Sequence, residues 1–315
     1  MLKLIEKNYF KINLAFILIV AIYCMCGLIV PLQFISANKV VAGGMTLLGI
    51  LLATYNLVIK KVYLKIKTIE YLLLFFALNI ITSILVISYG YSTNIKNALI
   101  FYIYFLTVFP IFTGITREEG KKIYDYFFYT VTVLNTFGVL VSLIQFILLK
   151  GYRVHDYKGL YIRQGFVESR LFGILASPNF LSLISLIVII FLITKIGSFI
   201  KVYKNISILA IVLNFIYIVL SGSRTAFICM MIAAVIYSIA MFYQKGNTKS
   251  LLKVVMAIIV VLFSYKAVNF TSEQYLKYNK ERLEAQDKKL ENKDNNLSLE
   301  RTDTSEENIS NNRFA

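Results

Sequence analysis

The chain has 315 residues, 58% of them hydrophobic and 16% charged, with a mean hydropathy of +0.71 and a formal net charge of +16. About a quarter of a soluble domain's residues are charged, so a water-soluble globule is excluded, and one His and three Cys exclude a His/Cys metal centre or a disulfide scaffold. Residues 1–270 hold 25 Lys and Arg against 7 Asp and Glu, whereas 271–315 hold 8 against 10; the basicity belongs to the apolar part, where it reports membrane topology and not nucleic acid.

Uncharged runs cover residues 12–38, 40–59, 71–95, 97–116, 126–149, 171–194, 205–223 and 225–244. A helix needs roughly 20 residues to cross about 30 Å of hydrocarbon, and every one of these runs is long enough. A ninth span is expected over Leu251–Asn269, with Lys253 and Lys266 near its ends and able to snorkel. The first run is too long for a signal-peptide core and no small-x-small cleavage site follows, so it reads as an anchor. Cys24, Cys26 and Cys229 lie inside apolar stretches and read as small packing residues. The expected fold class is an all-α polytopic membrane protein of about nine helices: a multi-helix membrane domain over 1–270 and a hydrophilic outer segment over 271–315.

Loop charge orients this bundle. With the N-terminus cytoplasmic, five inner segments carry 16 positive charges: Lys3, Lys7 and Lys11; Lys60, Lys61, Lys65 and Lys67; Arg117, Lys121 and Lys122; Lys195, Lys201 and Lys204; Lys245, Lys249 and Lys253. The first two outer loops carry one each, Lys39 and Lys96. Two outer segments break the rule. Loop 150–173 carries Lys150, Arg153, Lys158, Arg163 and Arg170, and the hairpin between the seventh and eighth helices carries Arg224.

These exceptions coincide with the two sharpest motifs. In Ser221-Gly222-Ser223-Arg224-Thr225 the turn is tight, Ser223 is placed to cap the eighth helix, and a helix N-terminus beside a guanidinium makes an oxyanion site. The alternative is an Arg224 that snorkels or caps the last carbonyls of the seventh helix. In Arg163-Gln-Gly-Phe-Val-Glu-Ser-Arg170-Leu-Phe-Gly-Ile-Leu-Ala-Ser177-Pro178-Asn179, the Ser-Pro pair starts a helix near 178. The preceding Leu171–Ala176 is expected to dip toward the membrane as irregular backbone, covered by protein or lining a cavity. The alternative is an ordinary amphipathic outer loop. His155, Asp156 and Glu168 are the outer-loop groups of residues 1–270 with acid–base potential. No Asp, Glu, Lys or Arg lies mid-helix in the first eight spans, which argues against an ion-coupled transporter. No carboxylate or imidazole cluster outside the acidic tail suggests a metal or another cofactor.

Beyond residue 270 the chain is charged and Asn-rich. Leu276, Leu283, Leu290 and Leu297 recur every seven residues, but their partner positions are polar, so a solvated helix over about 273–291 is expected in place of a coiled coil.

The Arg163, Arg170, Gly173, Pro178, Asn179 pattern resembles the O-antigen ligase and Wzy-type polysaccharide polymerase family. So do Ser221-Gly-Ser-Arg224-Thr and the terminal Ile309-Ser-Asn-Asn-Arg313-Phe, and the likeness covers roughly 160–315. The resemblance implies a metal-independent membrane glycosyltransferase acting on undecaprenyl-diphosphate-linked oligosaccharide at the outer face of a bacterial cytoplasmic membrane. It implies that Arg163, Arg170 and Arg224 hold the donor diphosphate, supported by Ser223, Ser177 and Asn179, with membrane lipids and other polysaccharide-assembly proteins as surroundings and partners. In the family the Ser-Asn-x-Arg segment leads into a Trp-containing helix, a Gly-rich turn and further spans. This chain has no Trp and stops at Ala315; the expectation is that the base and closing helices lie beyond it and that 1–315 alone makes no polymer. A flippase or other transporter of the same lipid-linked substrate is the competing reading from sequence. Its signals, charged groups deep in helices and repeated halves, are missing. High Ile, Lys, Asn, Tyr and Phe suggest an AT-rich, Gram-positive source.

Single-cysteine accessibility labelling in intact cells checks the orientation. Cysteines at 158 and 295 should react with a membrane-impermeant reagent, and cysteines at 65 and 246 should not; cytoplasmic reactivity at 295 would remove the ninth span.

Overall fold

The structure is a computed structural model describing residues 8–61, 69–85, 116–155, 161–175, 177–245 and 248–285, with scattered positions between 94 and 107. Most of the 97–116 run, Asp156, Lys158, Ala176 and the tail from 286, with its Ile309–Phe314 motif, lie outside these residues.

Among the described residues, five helices are long and apolar enough to cross a membrane: Tyr9–Leu28, Lys39–Ile59, Arg117–Ile147, Pro178–Ser198 and Lys201–Leu220. The chain is a multi-pass, predominantly helical membrane protein. In order, its elements are α1 (Tyr9–Leu28), a 3₁₀ turn (Val30–Leu32), α2 (Gln33–Ala37), α3 (Lys39–Thr54) running into a π turn (Tyr55–Ile59), and α4 (Ile69–Leu85). Then come α5 (Arg117–Ile147), β1 (Gly151–His155), β2 (Tyr161–Val167), β3 (Arg170–Gly173), α6 (Pro178–Lys195), α7 (Lys201–Leu220), α8 (Arg224–Lys245) and α9 (Thr248–Tyr278). The uncharged run 12–38 is therefore no single helix. It breaks at Ile29, whose backbone is extended, and a new 3₁₀ turn starts at Val30 with Pro31 in its first positions, where a missing N–H has no intrahelical partner to lose.

α5 is the central element, packing against α1, α6, α7, β2 and β3. Its start is set by a reciprocal cap: Glu119 N–H donates to Thr116 Oγ1 at 3.3 Å, and Thr116 N–H to Glu119 Oε2 at 3.0 Å. Midway along, Asn135 Nδ2 donates to Ser185 Oγ on α6 and Asn214 Oδ1 on α7, at 3.0 and 2.8 Å, and Asn214 Nδ2 reaches Thr136 Oγ1 at 3.1 Å. Helices in lipid gain little from burying apolar surface against each other, so such interhelical bonds and close packing hold the bundle. Toward the other end Asp125 of α5 pairs with Lys195 of α6.

The loop 150–173 carries strands that the sequence pattern does not announce. It forms a three-stranded antiparallel sheet in the order β1-β2-β3, with Arg153 opposite Arg163 and Val167 opposite Arg170. Leu171–Gly173, expected to be irregular, belongs to β3. The reason is pairing: a strand satisfies its peptide groups across the ladder, which irregular backbone at that depth cannot do by itself. Glu168 and Ser169 make the β2–β3 turn with φ of 53° and 56°, the signature of a type I′ turn. Inward-facing Phe166, Leu171 and Leu175 join Val139, Leu143 and Phe146 of α5, Leu181 of α6 and Tyr217 of α7 in the main core cluster.

Two glycines make this docking possible. Gly165 (φ +73°) sits at a bulge, where a Cβ would lie 1.9 Å from Lys150 O, and Gly173 (φ +68°) lies so close to α5 that a Cβ would meet Ser142 Oγ at 1.9 Å. At the far end α9 runs unbroken past residue 270, and the chain is helical again over 280–285. Leu276 and Leu283 pack against the main core cluster, and the Tyr275 hydroxyl donates to Ile147 O. The expected solvated helix is thus partly buried here, with Tyr275, Leu276 and Leu283 packed on that cluster.

Gly173→Ala combines a positive-φ penalty with a clash against α5. It should destabilise the protein by about 2 kcal/mol or more, lowering the thermal unfolding midpoint in detergent. Gly43→Ala, with nothing within 4 Å of the new methyl, should leave the midpoint unchanged or slightly raised. Equal midpoints for the two variants would refute the docking of β3 on α5.

Candidate functional site

α7 ends because the chain reaches Gly222. Ser221 is still αR, and its N–H bonds Tyr217 O at 2.8 Å; Gly222 then takes φ +62° and its N–H bonds Val219 O at 3.1 Å. Ser223 caps the next helix as expected, its Oγ accepting from Ala226 N–H at 3.3 Å. Arg224 is therefore the first residue of α8, at the positive end of the helix dipole, with an exposed side chain. A second arginine reaches the last carbonyl of α7 at this turn.

That residue is Arg170. Its Nε–H donates to Ser221 O at 2.9 Å and its Nη2 to Asn179 Oδ1 at 2.8 Å, while the guanidinium carbon stands 5.8 Å from the centre of the Phe172 ring. β3, the first turn of α6 and the α7–α8 turn thereby meet at one side chain. Beneath it Ser221 is fully buried and its Oγ lies 2.6 Å from Ser182 Oγ of α6, with Ser182 also bonding Pro178 O. Ser177 occupies the N-cap position of α6 with extended backbone, but its side chain makes no capping bond. Pro178 at the first helical position, with φ already fixed near the helical value, starts α6 without it.

Arg163 goes elsewhere. Its Nε lies 2.9 Å from Glu168 Oε1, tying β2 to the β2–β3 turn. This pair occupies Glu168, one of the three acid–base candidates. Of the other two, His155 ends β1 and Asp156 lies outside the described residues. Among the described residues, no three His, Cys, Asp or Glu side chains gather in a way that could hold a metal ion.

The structure thus joins Arg170, Asn179 and the Ser221–Thr225 turn, and keeps Arg163 with Glu168. Ser182 and Phe172 complete the cluster unanticipated. Ser182 carried a signal of sorts, a serine inside an apolar helical run. For Phe172 there was none, since one more aromatic in a chain with 24 Phe is not informative.

Fold and site together define a multi-pass membrane protein with a guanidinium-rich constellation at one end of its bundle. The chain matches no model of a known protein family, no curated protein and no solved structure.

Ser223→Ala removes the side-chain acceptor at the start of α8 and should destabilise by ~1 kcal/mol, while Ser223→Asp should restore the loss. Thermal unfolding of both variants in detergent checks this; equal midpoints for Ala and wild type would mean that the cap contributes nothing.

Proposed function

We propose that the chain belongs to a membrane glycosyltransferase of the O-antigen ligase and polysaccharide polymerase kind, transferring oligosaccharide from an undecaprenyl-diphosphate carrier at the outer face of the bacterial cytoplasmic membrane. One observation carries the reading: the Arg170 fork binds the two arginine-bearing motifs to each other, so that Arg224 stands exposed at a helix N-terminus beside them. An anion docked there meets peptide N–H groups, the helix dipole and a guanidinium together.

The chemistry needs such a group. An acceptor hydroxyl attacks the anomeric carbon of the donor sugar, the bond from that carbon to the diphosphate oxygen breaks, and the electron pair leaves with the lipid diphosphate. Guanidinium groups stabilise that growing charge without a metal. The acceptor proton passes to a base, for which His155, Asp156 and Glu168 are the outer-loop candidates. The electropositive outer face in a chain whose other outer loops carry few charges supports the same reading.

Arg224→Ala in the intact protein should abolish polymer formation at near-normal membrane levels. Arg224→Lys should recover little, because an ammonium does not reproduce the two-pronged grip on phosphate oxygens. Both are read by immunoblot of membrane fractions and by electrophoresis of extracted polysaccharide. Wild-type polymer from Arg224→Ala would sink the donor-site assignment.

A further inference from the structure

We infer that Arg170 is a positioning residue and not a phosphate contact: through Ser221 it sets the turn that carries Arg224, and Asn179 holds it in place. The inference rests on the proposed function for what Arg224 does. It also departs from the shared role that the family resemblance implies for the three arginines.

The argument begins with the fork. A guanidinium grips two phosphate oxygens through parallel N–H donors, and the side pair, Nε–H with Nη2–H, is one such edge. In Arg170 that edge already spans two oxygens, Ser221 O and Asn179 Oδ1, on two different helices. A diphosphate taking the same edge must evict both. Ser221 O belongs to the C-terminal end of α7, where helix carbonyls lack intrahelical donors and positive charge is favoured. Losing Arg170 there leaves that carbonyl without its donor. The Phe172 ring under the guanidinium orients its plane further.

The consequence travels three residues. Ser221 is clamped from above by Arg170 and from the side by Ser182 Oγ; Ser223 is tied into α8 by its own cap. Gly222, left-handed and without a Cβ, joins them, and Ser223 N–H also donates to Ser221 Oγ at 3.3 Å, so the start of α8 follows Ser221. Release Ser221 and its slack passes directly to Arg224. Asn179 explains itself in the same way: it is exposed, follows Pro178 at the start of α6, and offers its side-chain oxygen to Arg170. This gives the Pro-Asn pair a physical use that neither helix starting nor phosphate binding requires.

Two measurements on the full chain in lipid nanodiscs test this. The first needs no substrate: a spin label at Thr225→Cys, in a background with Cys24, Cys26 and Cys229 replaced by Ala, reports the order of the turn. Asn179→Ala and Arg170→Gln should both mobilise the label, and Asn179→Asp, which keeps the acceptor, should not. An unchanged spectrum in both Asn179→Ala and Arg170→Gln overturns the inference. The second is retention of farnesyl diphosphate, with farnesol as the control lacking the charge. Asn179→Ala should weaken it roughly 5–10-fold, in the same direction as Arg224→Ala. Because Arg170 acts through Arg224, Arg170→Gln should add nothing further in an Arg224→Ala background. A multiplied loss in the double variant would make Arg170 a direct contact and overturn the inference. A wild-type chain that holds farnesyl diphosphate no better than farnesol overturns the proposed function instead, and the label spectra then decide the positioning by themselves.

Discussion

A peptide group that enters the interior of a helical bundle must have its hydrogen bonds made there, since neither lipid nor a neighbouring apolar helix supplies them. Ile174 is where this chain meets that constraint. Its N–H donates to Ser142 Oγ on α5 at 3.2 Å, and its carbonyl accepts from Val30 N–H at 2.9 Å and from Gln164 Nε2 at 3.5 Å. The Ser142 hydroxyl in turn donates to Gly138 O, and Ile29 pairs with Leu175 as an isolated bridge. The break after α1, the end of β3 and the middle of α5 are thus one hydrogen-bonded unit. With Ile174 anchored, Leu171 and Leu175 are buried almost completely, at 0% and 1% exposure.

The neighbouring elements depend on that anchor. β3 is docked, so Arg170 at its start lies over the C-terminal end of α7. The type I′ turn that precedes it puts two ordinary residues, Glu168 and Ser169, in left-handed backbone, a conformation that costs about 1–3 kcal/mol each. The ion pair of Glu168 with Arg163 and the burial of the flanking Phe166, Val167 and Leu171 offset that cost. Strain in the turn and the placement of Arg170 are therefore linked. The three expected phosphate ligands consequently do three different things: Arg163 braces the sheet, Arg170 joins three elements, and Arg224 faces outward.

Below this end the bundle is held by few but specific polar contacts. The Asn135–Ser185–Asn214–Thr136 cluster ties α5 to α6 and α7 at mid-length, and Asp125–Lys195 ties α5 to α6 toward its start. Between them stack the rings of Phe128 and Phe191, 5.2 Å apart. The C-terminal part of α9 and the short helical stretch after it pack on the main core cluster through Tyr275, Leu276 and Leu283, with Tyr275 reaching the end of α5. One central helix, α5, thereby carries contacts from every layer, which is why its long uninterrupted span matters more to the architecture than those of α3 and α4 at the periphery.

The helical character of the chain, the starts of α6 and α8 and the tight α7–α8 turn were legible in the sequence, because each has a local cause: an uncharged run, a proline at the first helical position, a serine cap, a glycine where φ must be positive. The Thr116-x-x-Glu119 box at the start of α5 was equally local, but it precedes the uncharged run and lay outside it. The sheet was not legible. Its hairpin turns on Glu-Ser and not on Asn-Gly, and its apolar residues continue directly into the α6 run, so periodicity alone merges strand and helix. Nor was the division of labour among the arginines, which depends on contacts at separations of 51 and 9 residues between Arg170 and its partners. Composition and short-range pattern determine which segments enter the membrane, because transfer into lipid is settled residue by residue. Tertiary structure alone decides which distant elements a guanidinium joins, because a hydrogen bond between distant segments exists only after the elements carrying them have packed.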